Sequence, residues 1–201
     1  MALPGRVLRP CPGPLLGAKM GSDGGGQETA MRALVVHESM FGNTAAVAAA
    51  VARGLRMAGF DEVEVVEVGS APRPLPPDVD LLVVGAPTHA LGLSRPETRA
   101  SARDQASGPL VSRGIGVREW LAGLEPGSRP VATFDTHIDK PIPGTASRAA
   151  HKRLRRLGYR PVVPAESFAV SDVAGPLVAG ELERAERWGT AVAAATFVGV
   201  R

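Results

Sequence analysis

One short segment, residues 39–44, combines the residue types that hold an anion. It lies between an apolar run at residues 33–36 and a helix-like pattern that begins near residue 45. Backbone N–H groups at a helix N-terminus have no partner inside the helix and carry the positive end of its dipole, so they attract anions. The segment therefore predicts a phosphate site. We call it the first segment; its residues are Ser39, Met40, Phe41, Gly42, Asn43 and Thr44.

The motif around the first segment limits the kind of phosphate. It lacks both the Gly-x-x-x-x-Gly-Lys of a nucleoside-triphosphate loop and the Gly-x-Gly-x-x-Gly of a dinucleotide fold. A monophosphate ligand is the natural inference. Ser, Asn and Thr are also favoured as helix caps on structural grounds alone, which is the alternative interpretation.

Two more segments carry polar side chains after apolar runs. The second segment, residues 85–92, has a Pro-containing turn, and the third segment, residues 134–140, has several polar side chains. The alternative for the second is a simple turn with a solvated histidine. His137 near Asp135 resembles an acid–base pair, but no nucleophile stands beside it, so we predict no catalytic residue.

These segments must be positioned by alternating strands and helices. Apolar runs predict strands at 33–36, 63–68, 81–84 and 130–134 and a fifth within 159–170, while amphipathic patterns predict helices at 45–57, 117–124, 146–157 and 180–198. Such alternation predicts an α/β fold with a doubly wound, five-stranded parallel sheet. The ligand site of such a sheet lies beyond the carboxyl ends of its strands, where the three segments are expected.

Two stretches are rich in arginine. Residues 90–116 show no apolar period and predict a long loop over the site, with Arg95 and Arg99 as candidates to receive an anionic partner. Residues 148–160 hold six basic residues and no acidic one. Each stretch is either a solvated face, or a surface for an acidic redox partner or a nicotinamide nucleotide. The first stretch contains no Phe, Tyr or Trp and the second contains only Tyr159 near its end, so no series of stacking aromatic residues is interleaved with these arginines, which argues against nucleic acid.

Composition and the N-terminal region bound the class of protein. Residues 1–30 are rich in glycine and proline, which predicts a disordered extension before a domain at residues 31–201. The alternative interpretation is a signal peptide, but the prolines would interrupt its apolar region. A formal net charge of +3 does not suggest nucleic-acid wrapping, and no run is apolar enough for a membrane span. The single cysteine, Cys11, excludes an intramolecular disulfide and a Cys-based metal site, and fits the cytoplasm.

The Ser-x-Phe-Gly-Asn-Thr pattern after the first strand resembles the FMN-phosphate loop of the flavodoxin family, and the likeness covers residues 31–201. It implies strand order 2-1-3-4-5, with FMN at the switch point. It further implies that the first segment holds the phosphate, and that the second and third lie on either side of the flavin ring. The residues of these two segments that the resemblance predicts to contact the cofactor are Ala86, Pro87, Thr88, His89, Phe134, Asp135, Thr136 and His137. Phe41 departs from members with a hydroxyl residue there. No tryptophan or tyrosine that could stack on the flavin ring occurs between Gly85 and Arg118.

The resemblance predicts a flavoprotein that transfers electrons, as a carrier for a redox partner protein or as a small oxidoreductase. An enzyme of this kind would be an FMN-dependent quinone reductase that uses NAD(P)H. The alternative is a binding module that has lost the flavin and takes another phosphate ligand or a protein partner.

Overall fold

A computed structural model of the chain describes residue 1 and residues 30–104, 110–141 and 143–199. The predicted N-terminal extension therefore lies almost wholly outside the described residues. At the start of the domain, the Met31 N–H donates to the Asp61 carboxylate at 2.8 Å, and the Met31 carbonyl accepts from Asp61 and Glu62. Among the described residues, pairing with the sheet begins at Met31.

The core of the fold is a parallel sheet in which strand order departs from chain order. The order is β2-β1-β3-β4-β5, and β6 also pairs with β4. This confirms the predicted order 2-1-3-4-5 and the doubly wound α/β class. The strands are β1 (Arg32–His37), β2 (Glu62–Glu67), β3 (Leu81–Pro87), β4 (Pro130–Ile138), β5 (Arg160–Pro161) and β6 (Glu166–Val170).

Helices cover both faces of the sheet, because alternate residues of each buried strand point to opposite sides. On one face, Val35 packs in a cluster with residues of α1 and α5; on the other, Leu34 packs in a cluster with residues of α3 and α4. Trp120 is fully buried in this second cluster. The helices are α1 (Asn43–Met57), α2 (Pro96–Asp104), α3 (Val117–Ala122), α4 (Ala146–Arg156) and α5 (Glu181–Val198).

Three sequence expectations need correction. Residues 90–116 are not a continuous loop, because α2 lies within them. The fourth strand runs on to Ile138, because its second half pairs with β6, so Asp135, Thr136 and His137 lie in a strand and not in a loop. The predicted fifth strand is divided into β5 and β6.

The described helices include none that is long and apolar enough to cross a membrane.

Candidate functional site

A cavity of about 350 Å³ lies at the carboxyl ends of β1, β3 and β4. This is the edge where the ligand site of a doubly wound sheet is expected. All three predicted segments contribute to its wall, together with residues of α2 such as Thr98 and Ala102, which sequence reasoning missed. The predicted site residues in the wall are Ser39, Met40, Phe41, Asn43, Thr44, Pro87, Thr88, His89, Thr136 and His137.

The first segment forms a tight turn into α1. Gly42 precedes the helix with a φ of 91°, a left-handed conformation that favours glycine, and a Cβ at this position would meet nothing within 4 Å. The Ser39 hydroxyl accepts from the N–H groups of Gly42 at 3.1 Å and Ala45 at 3.3 Å. Ser39 therefore shapes the turn. Within the described residues, four N–H groups of this turn have no acceptor, those of Met40, Phe41, Asn43 and Thr44.

The turn is braced by a second piece of chain, residues 110–112. The Ser39 N–H donates to the Ser112 hydroxyl at 2.9 Å, and the Ser112 N–H donates to the Ser39 carbonyl at 2.8 Å. The Val111 N–H donates to the Met40 carbonyl at 3.1 Å. Ser112 is buried, and nothing in its local sequence marks it, because its partner lies 73 positions away. These bonds hold the turn in place and leave available the four N–H groups that have no acceptor among the residues that the structure describes.

Beneath the turn lies a buried polar network centred on Glu38. The Glu38 carboxyl accepts from the Ser94 hydroxyl and, at 2.9 Å, from the Val117 N–H. Arg99 donates to the Ser94 hydroxyl at 2.9 Å and pairs with Glu119 at 3.1 Å. Burial raises the pKa of Glu38 above its ordinary value, against the opposing effect of these hydrogen bonds.

The expectation that Arg99 receives an external partner is therefore wrong. Its side chain is buried in α2 and occupied by Ser94 and Glu119. Arg95 differs from Arg99 because its side chain is exposed and makes no ion pair among the described residues. A guanidinium can be buried only when it is paired, and the sequence does not show that pairing.

The second segment turns sharply beyond β3. His89 and Gly92 exchange backbone hydrogen bonds of 2.9 and 3.0 Å, and the two residues between them, Ala90 and Leu91, have φ values of 42° and 67°. Such conformations are rarely adopted by non-glycine residues and concentrate at functional sites. Burial, and secondarily the charge of Arg99, lowers the pKa of His89, so its ring is neutral at pH 7.

The predicted pair Asp135 and His137 does form, at the end of β4. Asp135 is fully buried; one carboxylate oxygen lies 3.0 Å from His137 Nδ1 and the other accepts from the Ser147 N–H at 2.9 Å. Asp135 thus fixes the His137 ring and the start of α4 from behind the cavity wall. Four predicted site residues are not part of that wall, Gly42, Ala86, Phe134 and Asp135.

Comparisons with known proteins identify the fold. No protein-family model matches the sequence, and no curated protein matches it either. A flavodoxin from the domain Archaea superposes with a TM-score of 0.58 at 19% identity, over 83% of this chain and 99% of that one. Flavodoxin 1 from Bacillus cereus gives 0.55 at 17% identity, over 84% and 97% of the two chains, and a WrbA-like flavodoxin protein from Agrobacterium tumefaciens gives 0.53 at 18%, over 84% and 98%.

At such low sequence identity, the structural similarity to these proteins shows that the folds are alike. The chain has the flavodoxin-like fold, as the resemblance in the first segment predicted.

Proposed function

We propose that the protein binds FMN in this cavity and transfers electrons, as a carrier or as a small oxidoreductase. The observation that carries the proposal is the first segment, where four N–H groups that find no acceptor in the described part of the chain surround the left-handed Gly42 at the start of α1. Its place after β1, at the mouth of the cavity, is where the fold binds a phosphorylated ligand.

The cavity fits the group. Its volume of about 350 Å³ falls within the range of small-molecule sites. The N–H groups of the first segment would hold the phosphate, while Pro87 and Thr88 on one side and Thr136 and His137 on the other would hold the ring. When bound, a flavin supplies the electron transfer, and the protein sets its orientation and potential.

The first segment is suited to one terminal monophosphate. It offers N–H groups and hydroxyls but no cationic side chain of its own. FMN ends in such a group, whereas FAD carries a diphosphate and an adenosine. We therefore propose a preference for FMN.

One observation bears on whether the protein is a carrier or an enzyme. Phe41 is the only Phe, Tyr or Trp in the described cavity wall, so no tyrosine or tryptophan there covers the ring position. That leaves space for a second ligand, as a quinone reductase using NAD(P)H needs. The same lack of an aromatic cover favours, as a second candidate, a module that binds another phosphate ligand in place of the flavin.

The absorption spectrum of the purified protein, supplemented with FMN, tests the proposal. A bound flavin spectrum that survives gel filtration supports it, and an unchanged protein spectrum contradicts it in favour of the phosphate-binding module. Steady-state oxidation of NADPH with a quinone then separates the two redox roles. The single cysteine fits a reducing compartment, and we propose the cytoplasm.

A further inference from the structure

Four exposed cations form one stripe along α4. Arg148, Lys152, Arg155 and Arg156 follow the spacing i, i+4, i+7 and i+8, which places them on one side of the helix over about 12 Å. The last three also line a shallow depression in the surface. We call these four residues the α4 stripe.

The α4 stripe places four cations side by side on a helix that contains no acidic residue. Among the described residues, no carboxylate pairs with any of its four side chains. Elsewhere, Arg53 pairs with Glu186 at 2.9 Å and Arg184 pairs with both Glu166 and Glu181 at 2.7 Å, while other exposed arginines such as Arg95 also make no ion pair among the described residues. The stripe differs from these in holding four such cations in one row on one helix.

Helix stability does not account for the stripe. Arg155 and Arg156 in the last turn are favoured by the helix dipole, but Arg148 lies in the first turn, where a cation is disfavoured. Arg148 with Lys152, and Lys152 with Arg156, are like-charged i,i+4 pairs, which destabilise a helix. The first two cations of the stripe thus oppose the stability of α4.

The stripe starts beside the cavity. The Ala146 N–H donates to the Thr88 hydroxyl at 2.8 Å, and the Ser147 N–H donates to the Asp135 carboxylate at 2.9 Å. These bonds fix the first turn of α4 to the ends of β3 and β4, and Arg148 is the next residue. A partner seated on the stripe would therefore reach the cavity mouth.

We infer that the α4 stripe is the docking surface for the acidic face of a protein that exchanges electrons with the cavity. This inference rests on the proposed electron-transfer function and names the kind of partner it uses. Complementary charge brings transient partners together quickly and orients them.

The chemistry of α4 favours a protein over other polyanions. The helix carries no Phe, Tyr or Trp on which a nucleic-acid base could stack, and its one histidine, His151, is half-buried. Its apolar residues Ala146, Ala150 and Leu154 are buried in the core, so no apolar face remains to enter a membrane surface.

The test compares two variants of the full chain with the same loss of four positive charges. The stripe variant is R148Q/K152Q/R155Q/R156Q, and the control variant is R73Q/R95Q/R103Q/R187Q, whose residues are also exposed. The probe is poly-L-glutamate, titrated at low ionic strength. We expect the dissociation constant of the stripe variant to rise about tenfold and that of the control less than about twofold, since each exposed ion pair contributes little. The difference should vanish at about 1 M salt, where the screening length is about 3 Å.

Equal weakening in both variants would overturn the inference, because net charge alone would then explain binding. Tighter binding of duplex DNA or phosphatidylglycerol vesicles than of poly-L-glutamate, lost in the stripe variant, would also overturn it and reassign the surface. Thermal unfolding gives a second readout: the stripe variant should melt at or above the wild-type temperature, whereas a lower value would mean a structural role.

FMN titration of the stripe variant separates this inference from the proposed function. Unchanged FMN affinity with weakened poly-L-glutamate binding supports both. If wild-type protein binds no FMN, the proposed function fails whatever the stripe binds.

Discussion

The hydroxyl of Thr44 lies 2.8 Å from the hydroxyl of Thr136, and both side chains are buried. This contact joins the first turn of α1 to the end of β4, across 92 positions of sequence. The proposed phosphate site is thereby coupled to the strand that forms another wall of the cavity.

Replacing Thr44 with alanine should weaken FMN binding about tenfold to a hundredfold. A hydrogen bond to a charged group contributes about 1.5–3 kcal/mol, and Thr44→Ala removes a hydroxyl of the first segment. Flavin fluorescence during titration of the apoprotein measures the change. The matched control is Thr136→Val, which removes the partner hydroxyl and keeps the side-chain shape; it should cost less affinity. Equal affinities for all three proteins would remove Thr44 from the site.

Replacing Gly42 with alanine should lower both stability and FMN affinity. A Cβ there meets no neighbour, so the cost is conformational: the left-handed region costs a non-glycine residue roughly 1–2 kcal/mol. Gly180 is a close match, because it also precedes a helix, has a φ of 86° and has open space at its Cβ position. We expect Gly180→Ala to lose similar stability in urea unfolding but to keep its FMN affinity. An FMN defect as large in Gly180→Ala would show a global effect.

Replacing Arg99 with glutamine should destabilise the protein by about 3 kcal/mol, because it leaves Glu119 and the buried Ser94 and Glu38 without their cation. The exposed neighbour Arg95 should tolerate the same change within about 0.5 kcal/mol. Urea unfolding of the two variants compares them. Equal and small effects would mean that the Arg99 network does not contribute to folding.

The raised pKa of Glu38 predicts a pH dependence of stability. Its folded pKa lies above its ordinary value of 4.5, so the folded state binds this proton more tightly than the unfolded chain does. The contribution of Glu38 is fully present below about pH 4.5 and is lost as the pH rises through the folded pKa.

Glu38→Gln removes the titrating group and keeps the side-chain shape. The melting temperatures of the wild type and the variant, measured from pH 4 to 8, should diverge. The melting temperature of the wild type should fall relative to that of the variant as the pH rises. A constant difference across this range would contradict the raised pKa.

The strand order followed from the resemblance of residues 39–44 to the phosphate loop of the flavodoxin family. Most strands and helices were predictable from the sequence itself, because alternating apolar runs and amphipathic stretches record burial directly. The helix α2 was not, since its only buried residues are Arg99 and Ala102 and no apolar stripe marks it. The full length of β4 was missed because Asp135 and Thr136 are polar yet buried. Their burial depends on partners such as Ser147 and Thr44, and contacts across the fold leave no local pattern.

The site was predictable where it depends on chain position and local residue type. The first segment was recognisable from its hydroxyls and glycine before a helix. Its support by Ser112, and the network of Glu38 with Ser94, depends on chain segments that meet only after folding.

Titration of the apoprotein with FMN and with riboflavin tests the central proposal most directly, because the two ligands share the ring and differ in the phosphate. The account predicts that FMN binds at least about a hundredfold more tightly than riboflavin, and that Gly42→Ala reduces this ratio. Equal affinity for the two ligands, or no binding of either, would contradict the assignment of residues 39–44 as the phosphate site of a flavoprotein.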